Sequence, residues 1–191
     1  MSNRRWIKQI IFIALALVLI IPSWRFIDKK IIKQKKDIQS SSVINNMILN
    51  SIAFKRNGYL PAKYSCDGLN VNPPLKITEI PTNASSLVLI FNDPDTDTGQ
   101  WTHWLLWNIS PTTKIIEENN IPEEAIVGQN DFGNKKYEGP CPPNGTHHYI
   151  FELYALDNKL NLPDGADKNM VKEAMIGHII TQTELTGLYS R

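Results

Sequence analysis

The chain has 191 residues, of which 42% are hydrophobic, and its formal net charge at pH 7 is +1. This length and apolar content are enough for one folded domain with a sizeable core. The near-zero charge provides no general attraction to nucleic acid, so we expect no nucleic-acid partner. The charge is unevenly distributed, because a basic cluster follows the N-terminal region and leaves the rest of the chain mildly acidic. The cluster consists of Arg25, Lys29, Lys30, Lys33, Lys35 and Lys36.

A hydrophobic segment lies near the N-terminus. Residues 10–21 are uninterrupted and apolar, and Trp6 and Trp24 flank them as in the aromatic belts of membrane-spanning helices. Counted from 6 to 27, the segment is long enough for a span of about 20 residues. The sequence Ile21-Pro22-Ser23 lacks the small residues that signal peptidase prefers. The pattern therefore predicts that residues 1–27 form an uncleaved signal-anchor transmembrane helix.

Residues 28–46 are polar and basic, which predicts a flexible linker before a domain at residues 47–191. Basic residues lie on both sides of the apolar segment, so the positive-inside rule does not give one orientation. The order of basic and then apolar residues is typical of a signal anchor and favours an exported domain, periplasmic or otherwise extracytoplasmic. A cytoplasmic domain is the alternative. Either way, the membrane is an expected partner through the N-terminal helix.

The first polar motif follows a hydrophobic run. Residues 87–91 are continuously apolar, which is typical of a central strand buried on both faces. The run stops at Asn92, and residues 93–99 are interpreted as a carboxylate-rich turn. A second strand is predicted over residues 101–109, with His103 near its start. Both segments place polar groups at strand ends, where binding residues are often found.

The second polar motif is a loop that contains three prolines around one cysteine. Proline fixes φ and removes a donor, so Gly139-Pro140-Cys141-Pro142-Pro143 is expected to be stiff. A strand rich in aromatic and branched residues follows and continues to Leu156. Because strand side chains alternate, His147 and Tyr149 should share one face and His148 should lie on the other. A helix is expected after Pro163-Asp164-Gly165.

Together these motifs resemble the paired signatures of the phosphatidylethanolamine-binding protein family, and most of all its bacterial Raf-kinase-inhibitor-like branch. The resemblance covers residues 47–191 in order. Two departures are present: Thr96-Asp97 replaces the family's Ala-Pro, and His148 occupies a position that is commonly arginine. The matching segments are Pro61 to Gly68, Asn72 to Leu75, Asp93-Pro94-Asp95, Trp101-Thr102-His103-Trp104, Asp131-Phe132-Gly133, Gly139 to Pro143, Gly145 to Tyr149, Met175 to His178 and Tyr189 to Arg191.

The resemblance implies a mostly β domain with two packed sheets, a β-sandwich with a few short peripheral helices, and a small anion-binding pocket. The expected ligand is phosphate or a phosphoethanolamine-like phospholipid head group, because imidazole and phenol groups can donate to its oxygens. No cofactor is expected. The wider family also implies modulation of a partner protein, such as a kinase or a protease. The pocket would be formed by Asp93, Asp95, Trp101, His103, Pro143, His147 and Tyr149.

Two other uses of the same residues are weighed against binding. A hydrolase would need Cys141 or a water as nucleophile and His103 or His147 as base, but the chain has no Gly-x-Ser-x-Gly elbow. A metal site would use both histidines and one aspartate, and no His-x-x-x-His spacing supports it. A binding domain is therefore the favoured prediction, and the hydrolase is the alternative.

The chain contains two cysteines, Cys66 and Cys141, and the resemblance places both near the pocket. An even number of cysteines in an exported protein favours a disulfide. The sequence alone does not show that the two α-carbons come within bridging distance. Two small buried hydrophobic side chains are the other interpretation, and both remain open at this stage.

Overall fold

The computed structural model describes residues 47–191. The helix predicted at residues 1–27 and the linker predicted at residues 28–46 lie outside the described residues. Within the described part of the chain, no helix is both long and apolar enough to cross a membrane.

The described residues form a mostly β structure with a single α-helix, α1 (Lys168–Ala174), and one turn of 3-10 helix at Ala62–Tyr64. The helices are thus fewer than the resemblance implied. The strands are β1 (Ile48–Asn50), β2 (Gly58–Tyr59), β3 (Leu75–Thr78), β4 (Ser86–Thr96), β5 (Gly99–Ile109), β6 (Ile115–Ile116), β7 (Ile126–Val127), β8 (Thr146–Leu156) and β9 (Ile179–Ser190).

The strands form two sheets, as predicted. The larger sheet has the order β2-β9-β8-β4-β5-β7 and the smaller one has the order β1-β3-β6. In the larger sheet the four long strands pair antiparallel, and the short β2 joins β9 in parallel. One hydrophobic cluster contains side chains of both sheets, including Leu49 and Ile77 from the smaller sheet and Phe91 and Phe151 from the larger one.

Strand β4 is central and covered on both faces, which confirms the prediction from its apolar run. Every residue from 87 to 91 is fully buried. Leu89 and Phe91 join the cluster shared with the smaller sheet, whereas Val88 and Ile90 pack in a second cluster that includes Val171 of α1. Side chains that alternate along a strand reach opposite faces, so the run is apolar at every position because each face meets its own core.

The prediction of a turn over residues 93–99 is wrong in its extent. Strand β4 continues to Thr96, and its pairing with β5 extends from Asn92 opposite Thr102 to Thr96 opposite Gly99. The reversal is limited to residues 97 and 98, and Gly99 adopts the positive φ of 95° that side chains disfavour. Asp93 therefore lies on a strand, where the ladder fixes its backbone.

Candidate functional site

A cavity of about 360 Å³ opens where β4, β5 and β8 meet the proline loop. We call it the histidine cavity. All seven residues expected from the sequence line it, namely Asp93, Asp95, Trp101, His103, Pro143, His147 and Tyr149. The structure adds Cys141, which the resemblance placed near the pocket, and residues that were not expected there: Thr96, Asp97, Thr98, Phe132, Pro142 and Asn144.

A β-bulge in β5 places His103 at this cavity. Phe91 of β4 lies opposite Trp104, but the next residue, Asn92, lies opposite Thr102, so His103 is the extra residue of β5. A bulge lets two consecutive side chains lean toward one face. The rings of His103 and Tyr137 both lie 5.5 Å from the ring of Phe91, and Trp104 contacts Tyr137 from the same face.

The backbone fixes the tautomer of His103. Its Nδ1 lies 2.8 Å from the carbonyl oxygen of Glu138, so Nδ1 carries a proton and donates it. Nε2 has no hydrogen-bond partner among residues 47–191. The side chain is buried, and burial lowers the pKa of His103 despite the opposing effects of the Glu138 carbonyl and the Asp93 charge. At neutral pH this imidazole is neutral, with a free lone pair on Nε2.

Asp93 orients the second histidine. One carboxylate oxygen of Asp93 lies 2.8 Å from Nδ1 of His147, and the other accepts a hydrogen bond from the backbone N–H of Asp95 at 2.8 Å. The carboxylate is buried, and both of its oxygens are hydrogen-bonded within the protein, as is usual for buried polar groups. Asp93 therefore fixes the orientation and the tautomer of the His147 ring, with the Nδ1–H directed at the carboxylate. Nε2 of His147 is left without a partner in the described part of the chain.

Tyr149 contributes a third polar group. Its side chain is fully buried, and its hydroxyl lies close to the Asp93 carboxylate and the Cys141 backbone without a hydrogen bond of ordinary geometry to either. The rings of His103 and His147 lie 5.4 and 6.4 Å from the Tyr149 ring. Burial raises the pKa of Tyr149, and the negative charge of Asp93 raises it further. The phenol therefore keeps its proton and remains a hydrogen-bond donor.

The rim of the cavity contains a second histidine–aspartate pair. The backbone N–H and the Nδ1 of His148 both lie 2.7 Å from one oxygen of Asp95. Burial raises the pKa of Asp95, but these two hydrogen bonds and the electrostatic attraction of the nearby imidazoles together bring the pKa below its usual value. His148 does not line the cavity, in agreement with strand alternation. Its contact with Asp95 nevertheless makes it part of the rim, which the sequence did not indicate.

Phe132 reaches the cavity from a loop. The backbone N–H of Asp131 donates to the carbonyl of Thr102, and a carboxylate oxygen of Asp131 accepts from the N–H of Thr102 at 2.6 Å. This double contact holds the loop against β5. The Phe132 ring then meets the edges of Trp101 and His103 at centroid distances of 5.5 and 5.2 Å. The Asp131-Phe132-Gly133 motif was the available signal, but nothing in the sequence showed where the loop docks.

The proline loop is joined to the 3-10 turn region by a disulfide between Cys66 and Cys141, whose α-carbons are 5.5 Å apart. The N–H of Cys66 also donates to the carbonyl of Pro140. The two segments approach so closely that a β-carbon at Gly139 would lie 2.2 Å from the carbonyl oxygen of Tyr64, so only glycine fits. In the bonded state Cys141 offers no thiol for nucleophilic chemistry.

The charges around the histidine cavity are mixed. Its lining side chains include the three carboxylates of Asp93, Asp95 and Asp97, together with two imidazoles and no lysine or arginine. Asp93 and Asp95 are each hydrogen-bonded to a histidine. An anion in this cavity would therefore bind through imidazole and phenol groups, while the acidic rim would favour a positive group beside it.

Comparison with known proteins identifies the family of the chain. The sequence profile of the phosphatidylethanolamine-binding protein family matches residues 50–190. The chain belongs to this family.

Relatives of known sequence include a UPF0098 protein of Pyrococcus horikoshii, 49% identical over 74% of this chain and 75% of the relative. A UPF0098 protein of Methanothermobacter thermautotrophicus is 46% identical over 76% of this chain and 99% of the relative. Among solved structures, a phosphatidylethanolamine-binding protein homologue from Chlamydia trachomatis matches with a TM-score of 0.74 and 41% identity, covering 77% of this chain and 99% of the homologue. Escherichia coli YbcL, described as a member of the mammalian family, matches with a TM-score of 0.72 and 27% identity, covering 76% and 98% of the two chains.

Proposed function

We propose that the histidine cavity binds a small phosphate-bearing anion, either inorganic phosphate or a phosphoethanolamine-like head group. One observation carries the proposal: His103, His147 and Tyr149 line one cavity, and Nε2 of each histidine makes no hydrogen bond within the described residues. The opposite nitrogen of each imidazole is already fixed by the protein. Such preset groups bind a ligand without first reorganising.

Phosphate oxygens suit this arrangement because they accept several hydrogen bonds. Tyr149 is a neutral donor. A bound phosphate also favours protonated imidazole, because opposite charges attract at short range, and a protonated ring donates from Nε2. His103, which burial keeps neutral in the free protein, would accept from a protonated phosphate oxygen or take up a proton on binding.

The carboxylates point to a ligand that carries a positive group next to the phosphate. Asp95 is about two-fifths exposed and Asp97 is exposed, so both remain accessible at the rim. An ammonium group there would offset the repulsion between the carboxylates and the phosphate. Phosphoethanolamine combines both charges, and we expect it to bind more tightly than inorganic phosphate.

We further propose that the chain is anchored in a membrane by its N-terminal segment and that the domain lies outside the cytoplasm. The support is the apolar sequence at residues 10–21 together with the Cys66–Cys141 disulfide, because disulfides persist mainly in oxidising compartments.

Thermal unfolding of the purified full-length chain separates binding from catalysis. We expect phosphate, and more strongly O-phosphoethanolamine, to raise the melting temperature, since a ligand that binds only the folded state stabilises it. Ethanolamine, which lacks the phosphate, should have little effect. No turnover of carboxylic or phosphate esters is expected. A concentration of about 10 mM would populate a millimolar site. If neither phosphate nor O-phosphoethanolamine raises the melting temperature at that concentration, the proposal is contradicted. Ester turnover that disappears in His147→Ala would support the hydrolase instead.

A further inference from the structure

A second cavity of about 390 Å³ shares no lining residue with the histidine cavity. We call it the asparagine cavity. The segment at residues 136–138 borders both: Lys136 and Tyr137 line the asparagine cavity, and the carbonyl of Glu138 holds His103. The lining residues are Asn70, Val71, Asn72, Trp104, Asn119, Asn120, Ile121, Lys136 and Tyr137.

Trp104 provides an unpartnered buried donor at this cavity. Its side chain is 1% exposed, and the indole Nε1–H makes no hydrogen bond to any described residue. A buried donor without a partner is costly, so such groups call for an explanation. An acceptor atom of a ligand that reaches this nitrogen would supply the missing hydrogen bond.

Two asparagines add further unpartnered groups. The side-chain amides of Asn119 and Asn120 make no hydrogen bonds within residues 47–191 and are exposed at the cavity. Asn72 behaves differently: its amide donates to the carbonyls of Pro73 and Glu117, and its oxygen accepts from the N–H of Asn120. Asn72 therefore shapes the wall of the cavity, while its neighbours remain available to a ligand.

The charged side chain that lines the asparagine cavity differs in sign from the carboxylates that line the histidine cavity. Lys136 is the single charged residue among those that line it, and no carboxylate does. Nζ of Lys136 lies 2.8 Å from an oxygen of Glu138, but the ammonium has further donors, and its side chain is 60% exposed. An indole N–H, an ammonium and two amides together favour a ligand rich in acceptor atoms. We propose that the asparagine cavity is a second ligand site that takes a small carboxylate.

The two cavities can be followed separately because each has its own tryptophan. Trp101 lines the histidine cavity and Trp104 lines the asparagine cavity, so their indole N–H resonances report the two sites in one spectrum. We would label the full-length chain with ¹⁵N-tryptophan and titrate N-acetylglycine up to about 20 mM, enough to detect a millimolar site. N-acetylglycinamide is the matched neutral probe, because it differs only in the carboxylate.

We expect N-acetylglycine to shift the Trp104 resonance in a saturable manner, and N-acetylglycinamide to leave it in place. Lys136→Gln should weaken this binding about tenfold or more, as expected for loss of a charge-assisted hydrogen bond. Lys135→Gln is the matched control, since Lys135 pairs with Asp164 and does not line the cavity. His147→Gln, which alters only the histidine cavity, should leave the Trp104 titration unchanged.

An unshifted Trp104 resonance in the wild type would overturn the proposal. So would equal shifts with the acid and the amide, or equal affinities of Lys136→Gln and Lys135→Gln. None of these outcomes depends on phosphate binding at the histidine cavity, because the resonance of Trp101 reports that site separately.

Discussion

At the scale of single residues, the chemistry of the histidine cavity depends on which nitrogen of each histidine carries a proton. His103 donates from Nδ1 to a backbone carbonyl, and His147 directs Nδ1 to the carboxylate of Asp93. The two rings are fixed by partners of different charge, although they line one cavity. Burial keeps His103 neutral in the free protein, whereas His147 lies against a carboxylate.

The lowered pKa of His103 should make folding sensitive to acid. In the unfolded chain His103 has an ordinary pKa near 6.5, so on acidification the unfolded state binds the proton first. The contribution to stability is therefore present above about pH 6.5 and decreases as the pH falls below it. We expect His103→Gln to lose less stability than the wild type between roughly pH 7.5 and 5. Urea denaturation of the full-length chain measures this, with His178→Gln as control, because His178 is only partly buried. Identical pH profiles for wild type and His103→Gln would refute the role of burial.

Some residues of the site can be predicted from the sequence and others cannot. Strand alternation was sufficient to group His147 with Tyr149, because β8 is regular where they lie. Alternation alone could not have placed His103, since the β5 bulge changes its direction. Phe132 depends on a loop that docks through Asp131, and a contact between distant segments has no periodicity to reveal it.

At the scale of structural elements, the proline loop owes its position to long-range connections. The Cys66–Cys141 disulfide closes a sequence separation of 75 residues. Tyr189 of β9 also supports this region, because its hydroxyl donates to a carboxylate oxygen of Asp67 and accepts from Ser65. Two segments far apart in sequence thus hold one wall of the cavity. The sequence alone does not decide whether the disulfide forms, because it gives no distance between the two cysteines.

Breaking the disulfide should destabilise the domain substantially. In the chain-entropy model a closed loop of this length is worth about 4 kcal/mol, which corresponds to roughly 10 °C in melting temperature for a domain of this size. We expect that decrease on reduction and in the Cys66→Ser, Cys141→Ser double variant. Differential scanning calorimetry measures it, and mass analysis after alkylation reports the thiol state. Two freely labelled thiols in exported, unreduced protein would show that the bond does not form there.

Strand β4 shows how far a local sequence pattern can predict a strand. The apolar run at residues 87–91 identified a central strand, because burial on both faces leaves no polar position. The polar continuation to Thr96 resembles a turn in sequence, since aspartate is common in turns. Pairing with β5 outweighs that local preference, and the ladder extends nearly to the reversal at residues 97 and 98.

At the scale of the whole molecule, we propose that residues 6–27 anchor the domain and are not removed. The apolar run at residues 10–21 supports this anchor, and residues 1–46 lie outside the described part of the chain. N-terminal sequencing of membrane-associated protein should find a terminus upstream of Trp6. A mature terminus beyond Ile21 would identify the segment as a cleaved signal peptide instead.

The central claim is that the histidine cavity captures a phosphate-bearing ligand. Calorimetric titration of O-phosphoethanolamine into the full-length wild type and His147→Ala tests it most directly. His178→Ala is the matched control, because Nδ1 of His178 also lies 2.8 Å from a carboxylate, that of Asp157, outside the cavity. His148 would be a poor control, since it contacts Asp95 at the rim.

We expect His147→Ala to bind about 10- to 100-fold more weakly than the wild type, as for loss of a charge-assisted hydrogen bond of roughly 1.5 to 3 kcal/mol. His178→Ala should bind like the wild type. Equal affinity in all three proteins, or no binding to the wild type at millimolar ligand, would contradict the account.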